Sequence, residues 1–232
     1  MFNLPSFSPA HPSVRRVLVL SLLLLGALLL CAARPALSLA DACTPPVASA
    51  VACENTKTGT DPEIWQTTGS GDSDLVGFAT QMSVNKGTTV NFKIKSLVGS
   101  AYTIDIYRLG YYQGLGARLM QGGISHTGSG SQPACQTNTT GLIDCGNWTT
   151  SASWAVPSTA VSGVYIAHLV RNDNGDDSQI PFVVRDDASH SKILLQTSDA
   201  TWQAYNTYGG NSLYKCTVAC PPGDPRAYKA AY

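Results

Sequence analysis

Residues 201–214 read TWQAYNTYGGNSLY, which puts four aromatic side chains, three amides and a Gly-Gly pair into fourteen positions. Three kinds of chemistry suit such a stretch. Rings beside amides can form a sugar platform, because rings stack on the ligand and amides hydrogen-bond its hydroxyls. The same residues can be interface packing between two parts of a fold. A tyrosine phenolate can also act as a hard oxygen donor to Fe(III) or a similar cation, whose charge lowers the phenol pKa from its usual value of about 10. Composition leaves all three open.

Other stretches carry weaker signals. Tyr111 and Tyr112 in YRLGYYQGLGARLM read as a tight β-turn with aromatic packing, or as a loop presenting both rings to a ligand. Asp173, Asp176 and Asp177 in RNDNGDDSQ could suit calcium, but Asn, Asp and Gly are also what a hairpin turn requires, and the turn is the preferred reading. His126, His168 and His190 have no partner at metal-ligand spacing, and His11 falls near the N-terminus. The sequence contains no G-x-S-x-G, H-E-x-x-H or phosphate-loop motif. The sequons at Asn138 and Asn147 are read as chance occurrences.

The elements that must position these residues are mostly strands. LVGFATQMSV, TTVNFKIKSL, AYTIDIYRLG, GVYIAHLVR and IPFVVRD are short alternating or β-branched runs. Turn residues separate them at Asn85-Lys-Gly, Val98-Gly-Ser and Asn172-Asp-Asn-Gly. They predict a mainly β protein with an immunoglobulin-like β-sandwich over residues 63–188, though without the inter-sheet disulfide of antibody domains. KILLQTS is a continuous apolar run instead. It predicts a strand covered on both faces, opening an α/β domain over residues 189–232, with the 201–214 stretch at the strand's carboxyl edge. Too few residues follow Lys192 to close a core, so this second domain is expected to be a truncated start whose C-terminal remainder is missing.

The N-terminus reads as an export signal or a retained anchor over residues 1–40. Arg15 and Arg16 precede an apolar run from Val17 to Ala33, a possible membrane tether, and Ser38-Leu39-Ala40 offers a cleavage site. The remainder is therefore expected to be secreted or otherwise extracytoplasmic. Six cysteines beyond the signal fall as near neighbours and predict three local disulfides, Cys43–Cys53, Cys135–Cys145 and Cys216–Cys220. Residues 41–62, rich in Ala, Thr, Pro and Ser, are expected to be a linker. From Asp41 onward twelve basic residues stand against fifteen acidic ones. A net charge of −3 with no Lys/Arg cluster sets nucleic-acid binding aside.

GFATQMSVNKGTTVNFKI, YTIDIYRLGYYQGLGARLM, GNWTTSASWAVP, SGVYIAHLVR, PFVVRDD and ILLQTSDATWQAYNTYGGNSLY together resemble the N-terminal half of secreted bacterial proteins similar to the N,N-dimethylformamidase large (β) subunit. The resemblance covers roughly residues 60–232. It implies a β-sandwich followed by a glutamine-amidotransferase-like α/β domain. It also implies an amidohydrolase-like parent whose mononuclear iron, held by tyrosines and a glutamate, polarises an amide carbonyl and activates water. Tyr205 is the one position offered as a metal ligand, with Trp202, Asn206, Gly209 and Gly210 at the pocket edge. A single tyrosine cannot hold the metal, so no cofactor is expected on this chain and activity is expected to be absent. The rival reading is an extracellular β-sandwich module that binds polysaccharide or another surface partner without catalysis.

Overall fold

In TVNFKIKS the apolar Val90, Phe92 and Ile94 fall on one phase and Asn91, Lys93 and Lys95 on the other, so a strand buries the first row and leaves the second half-exposed. The computed structural model describes residues 42–45, 49–97, 99–126 and 130–231. In chain order the elements are helices α1 (Ala50–Asn55) and α2 (Pro62–Trp65), then strands β1 (Leu75–Ala79), β2 (Ser83–Asn85), β3 (Thr89–Ser96), β4 (Tyr102–Leu109), β5 (Ala117–Gln121), β6 (Gln136–Thr137), β7 (Ile143–Asp144), β8 (Ala152–Ala155), β9 (Gly163–Arg171) and β10 (Asp177–Arg185), and helix α3 (Asp199–Tyr205).

The protein is mainly β. One sheet runs β1-β3-β8, a second β2-β10-β9-β4-β5, and β6-β7 form a small hairpin. All the pairings are antiparallel except β10 with β2. Val90, Phe92, Ile94 and Trp154 from the first sheet share one core with Ile104, Ile106, Tyr165, Leu169, Ile180 and Phe182 from the second. Phe182 is the hinge of its aromatic part, with ring centroids 5.6 Å from Phe92, 5.8 Å from Tyr165 and 6.1 Å from Trp154. Such pairs add roughly 0.5–1.5 kcal/mol each beyond area burial.

The strands expected from alternation are all present. ARLMQ, the Cys135–Cys145 hairpin and the ASWA strand are additional, and each is short or an edge piece whose sequence has little period to show. All three expected disulfides form, Cys43–Cys53, Cys135–Cys145 and Cys216–Cys220. They suggest an extracytoplasmic protein. Among the described residues no helix is long and apolar enough to cross a membrane. The signal or anchor expected over residues 1–40, with its run 17–33, lies outside the described residues.

Two expectations are corrected. Part of the 41–62 stretch is not a linker. Ser49 caps α1 and Asp61 caps α2, and Glu54 on α1 is only 2% exposed. Trp65 packs on Tyr107, Ala117 and Ile166, on the outer face of the five-stranded sheet. The polar composition hid this because the segment attaches mainly through polar groups, the buried Glu54 carboxylate together with Asn55 and Thr60. KILLQTS, in turn, is not a strand: Ile193, Leu194 and Leu195 are 86%, 92% and 78% exposed and lie outside regular structure. A strand covered on both faces needs neighbouring strands, and among the described residues none pairs with this run. Nor does a separate unit begin near residue 189, since Ala42–Tyr232 form one compact unit. The segment after α3 returns to the sheets through Asn211 Nδ2 donating to the Gly141 carbonyl at 2.8 Å and Tyr228 N donating to the Thr140 carbonyl at 2.8 Å.

Candidate functional site

On β1 the residues facing away from the core are Val76 and Phe78, both apolar, so this outer face also needs a cover. The C-terminal segment and the β6-β7 hairpin provide it, and they leave a cleft of about 270 Å³. Its floor is Val76, Gly77 and Phe78; Ile143 and Trp148 form one wall; Gln203, Asn206 and Tyr208 form the other, with Ser178 and Lys229 at the margin. Trp148 is nearly buried at 3% exposure, fixed by its indole N–H donating to the Pro133 carbonyl at 3.0 Å. Its ring lies 5.8 Å from Phe78 and meets Tyr208 edge-on at 6.1 Å. Burial pushes the Tyr208 phenol pKa up, so the hydroxyl stays protonated at neutral pH.

The three amides of the 201–214 stretch divide by their hydrogen bonds. Asn211 is buried and fully used. Its Nδ2 donates to the Gly141 and Val218 carbonyls, while its Oδ1 accepts from Thr217 N and Val218 N at 2.8 and 3.0 Å. With two donors and two acceptor positions occupied, it is structural. Asn206 Oδ1 accepts from Tyr208 N at 3.0 Å, which leaves its Nδ2 free among the described residues. Gln203 makes no side-chain hydrogen bond among the described residues. These two amides line the cleft with hydrogen-bonding capacity to spare.

The other expected positions scatter. Gly209 is required by geometry: its φ is +74°, and a Cβ there would sit 2.9 Å from Ile143 Cγ2. Gly210 has φ +96° and joins the same turn. Trp202 is 44% exposed and stands off the cleft. Tyr205 is 62% exposed and stacks on Tyr214 with centroids 4.5 Å apart. The hydrogen bond with Tyr205 pushes the Tyr214 phenol pKa up. Among the described residues no group of three His, Cys, Asp or Glu side chains could hold a metal ion. The one fully buried glutamate, Glu54, is bound to Lys57, Arg118 and Tyr112. Tyr205 stacked on Tyr214, with Glu54 already held by Lys57, Arg118 and Tyr112, does not among the described residues fit an iron held by tyrosines and a glutamate.

The remaining motifs settle as structure. Tyr112 is buried and Tyr111 is 69% exposed. Asp173 pairs with Arg171 at 2.8 Å and Asp176 accepts from Asn174, as a turn requires, while Asp177 at the start of β10 bonds His168 Nε2 of β9 at 2.6 Å. His126 stacks on Tyr102 at 4.0 Å. Sequence reasoning missed Phe78, Ile143, Trp148, Ser178 and Lys229. A signal existed for Phe78: in LVGFA both phases are apolar, which a half-solvated strand would not tolerate.

The family model described as N,N-dimethylformamidase beta subunit-like, C-terminal, matches residues 103–231, more than half of the 232-residue chain. The match does not carry a placement of the chain as the N-terminal portion of such a protein. No curated protein matches the chain.

Proposed function

This chain belongs to the N,N-dimethylformamidase beta subunit-like family, and on that premise we propose that it is an extracytoplasmic, amide-recognising part of an amidohydrolase-like protein, built on an immunoglobulin-like sandwich. The observation that carries the reading is the cleft. Its apolar lining of Phe78, Ile143 and Trp148 meets two amides with free capacity, Gln203 and Asn206. At about 270 Å³ it lies just below the roughly 300–1,000 Å³ range of drug-sized sites, which suits a ligand of a few heavy atoms. Asn206 Nδ2 would donate to the ligand's carbonyl oxygen. Gln203 can donate or accept, and the rings would exclude water from the amide plane.

No hydrolytic step is assigned to the described residues. Cys145 at the cleft is disulfide-bonded. His168 is buried and engaged with Asp177. The test is titration of the full chain with small amides, beginning with N,N-dimethylformamide and N-methylacetamide, followed by tryptophan fluorescence because Trp148 lines the cleft. Asn206→Ala should weaken binding about fivefold, the equivalent of one hydrogen bond of ~1 kcal/mol. Absence of any saturable response to either amide would sink the reading.

A rival has its own observation. Trp202 and Tyr205 lie three residues apart on α3, so they share a helix face, and both are exposed, as is Tyr214. That row would suit a polysaccharide. Retention of the chain on insoluble glycans, abolished by Trp202→Ala, would favour this non-catalytic module instead.

A further inference from the structure

The charges around the cleft are not balanced. Pairing β1 with β3 sets Lys93 opposite Phe78 and Lys95 opposite Val76, on the outer face that forms the cleft floor. The Lys93 ammonium lies 6.0 Å from the Phe78 ring centroid and donates to the Gly146 carbonyl at 2.7 Å. The Lys95 ammonium lies 5.9 Å from the Trp148 ring centroid. Lys229 lines the cleft from the C-terminal segment. Among the described residues none of these three lysines has a carboxylate within ion-pair distance, whereas Lys57 and Lys86 are paired with Glu54 and Asp186 at 2.6 Å each.

The neighbouring acids offset them only in part. Asp144 accepts from Gly146 N at 2.7 Å and keeps its charge, whereas Asp177, beside Ser178, is engaged by His168. One unpaired lysine, Lys229, thus lines the cleft, and two more stand against the Phe78 and Trp148 rings that line it, in a chain that carries net −3 from Asp41 onward. Two of them sit at ring faces about 6 Å away, near the limit of cation–π attraction, so the rings leave most of their charge available to a ligand.

We infer that the ligand of this cleft is an anion bearing both an amide and a carboxylate, of the N-acyl amino acid class. The inference rests on the amide reading given above. Gln203 and Asn206 would take the amide, and the lysines would set the affinity for the carboxylate. The ligand's charge would then be the selective feature, and binding would fall with ionic strength.

The experiment compares N-acetylglycine with its uncharged analogue N-acetylglycinamide on the full chain, by calorimetry at low salt and again at high salt. The anion should bind at least about tenfold tighter at low salt, and its advantage should shrink as salt screens the site. Lys95→Gln and Lys229→Gln should each reduce that advantage several-fold. Lys215→Gln, which changes net charge equally but lies off the cleft, should not. Salt dependence of the unmutated protein keeps the test valid if a variant misfolds. Equal affinity for the two compounds overturns the charge inference and leaves the amide cleft standing. Binding of neither removes both.

Discussion

The two outer faces of the sheets are each covered by short helices and connecting chain, and by different means. On the five-stranded sheet, α2 lays the Trp65 ring on Tyr107, Ala117 and Ile166, and α1 closes the rest of the face with charge. Glu54 accepts from Arg118 Nε at 2.7 Å and from the Tyr112 hydroxyl at 3.1 Å, and it pairs with Lys57 at 2.6 Å. Behind it the buried Arg108 donates to Tyr112 Oη at 3.0 Å and to the Ser162 carbonyl at 2.8 Å. On the three-stranded sheet, residues 199–231 close the face with amides, rings and turns, and they leave a cleft. An ionic seal uses each group completely. An amide seal leaves donors and acceptors over, and those are what a ligand can use.

The contrast can be broken first where its effect is largest. Glu54→Ala removes the buried acceptor shared by Arg118, Lys57 and the Tyr112 hydroxyl; with the two cations 25% and 50% exposed, it should destabilise the protein by about 3 kcal/mol, read as a lower urea midpoint. Asn211→Ala removes four hydrogen bonds on the other face but leaves neutral groups behind. Its loss should be smaller, about 2 kcal/mol. Equal losses would erase the distinction between the two seals.

The acid response sharpens the same comparison. Burial raises the Glu54 pKa, but hydrogen bonds and attraction from Lys57 and Arg118 outweigh it, and the net shift is downward. A carboxyl with a lowered folded pKa contributes stability that is present above the ordinary glutamate value of about 4.3 and is lost as pH falls through the folded value. The melting temperature should therefore fall more steeply below about pH 4.3 in the unmutated protein than in Glu54→Gln. The two curves should converge at low pH. Last in size, Gly209→Ala forces an L side chain into a left-handed backbone and against Ile143. It should cost about 1–2 kcal/mol and disturb amide binding without touching the ionic face.

What sequence could reveal follows the same division. Val90, Phe92 and Ile94 announce a strand because burial repeats every second residue, and the disulfides follow from cysteine proximity. Glu54 announces nothing: a glutamate in a polar stretch acquires its role only when Arg118, 64 residues away, meets it. KILLQTS misled because a continuous apolar run specifies how much cover a segment wants, not whether neighbours supply it. At the cleft, TWQAYNTYGGNSLY drew attention to the right segment, and Asn206 does line the site. The floor and the opposite wall come from Phe78 and Trp148, which only the sheet pairing and the hairpin bring near. Lys93 and Lys95 alternate with the buried row of their strand, and only the cover over β1 brings the Phe78 and Trp148 rings to them.

The exposed Ile193–Leu195 run is expected to bear on how the protein behaves as a colloid, which light scattering against concentration would read. Three bare aliphatic side chains in sequence, outside any sheet, present a short β-prone segment that one molecule can offer to another. Self-association through it depends on encounter between molecules and not on unfolding, so it rises with concentration even where the fold is stable. Lys192, next to the run, is the one charged residue placed to repel such pairing, the role of a gatekeeper. Storage and handling of concentrated solutions would then be governed by these few residues, independently of the seals that hold the two sheets.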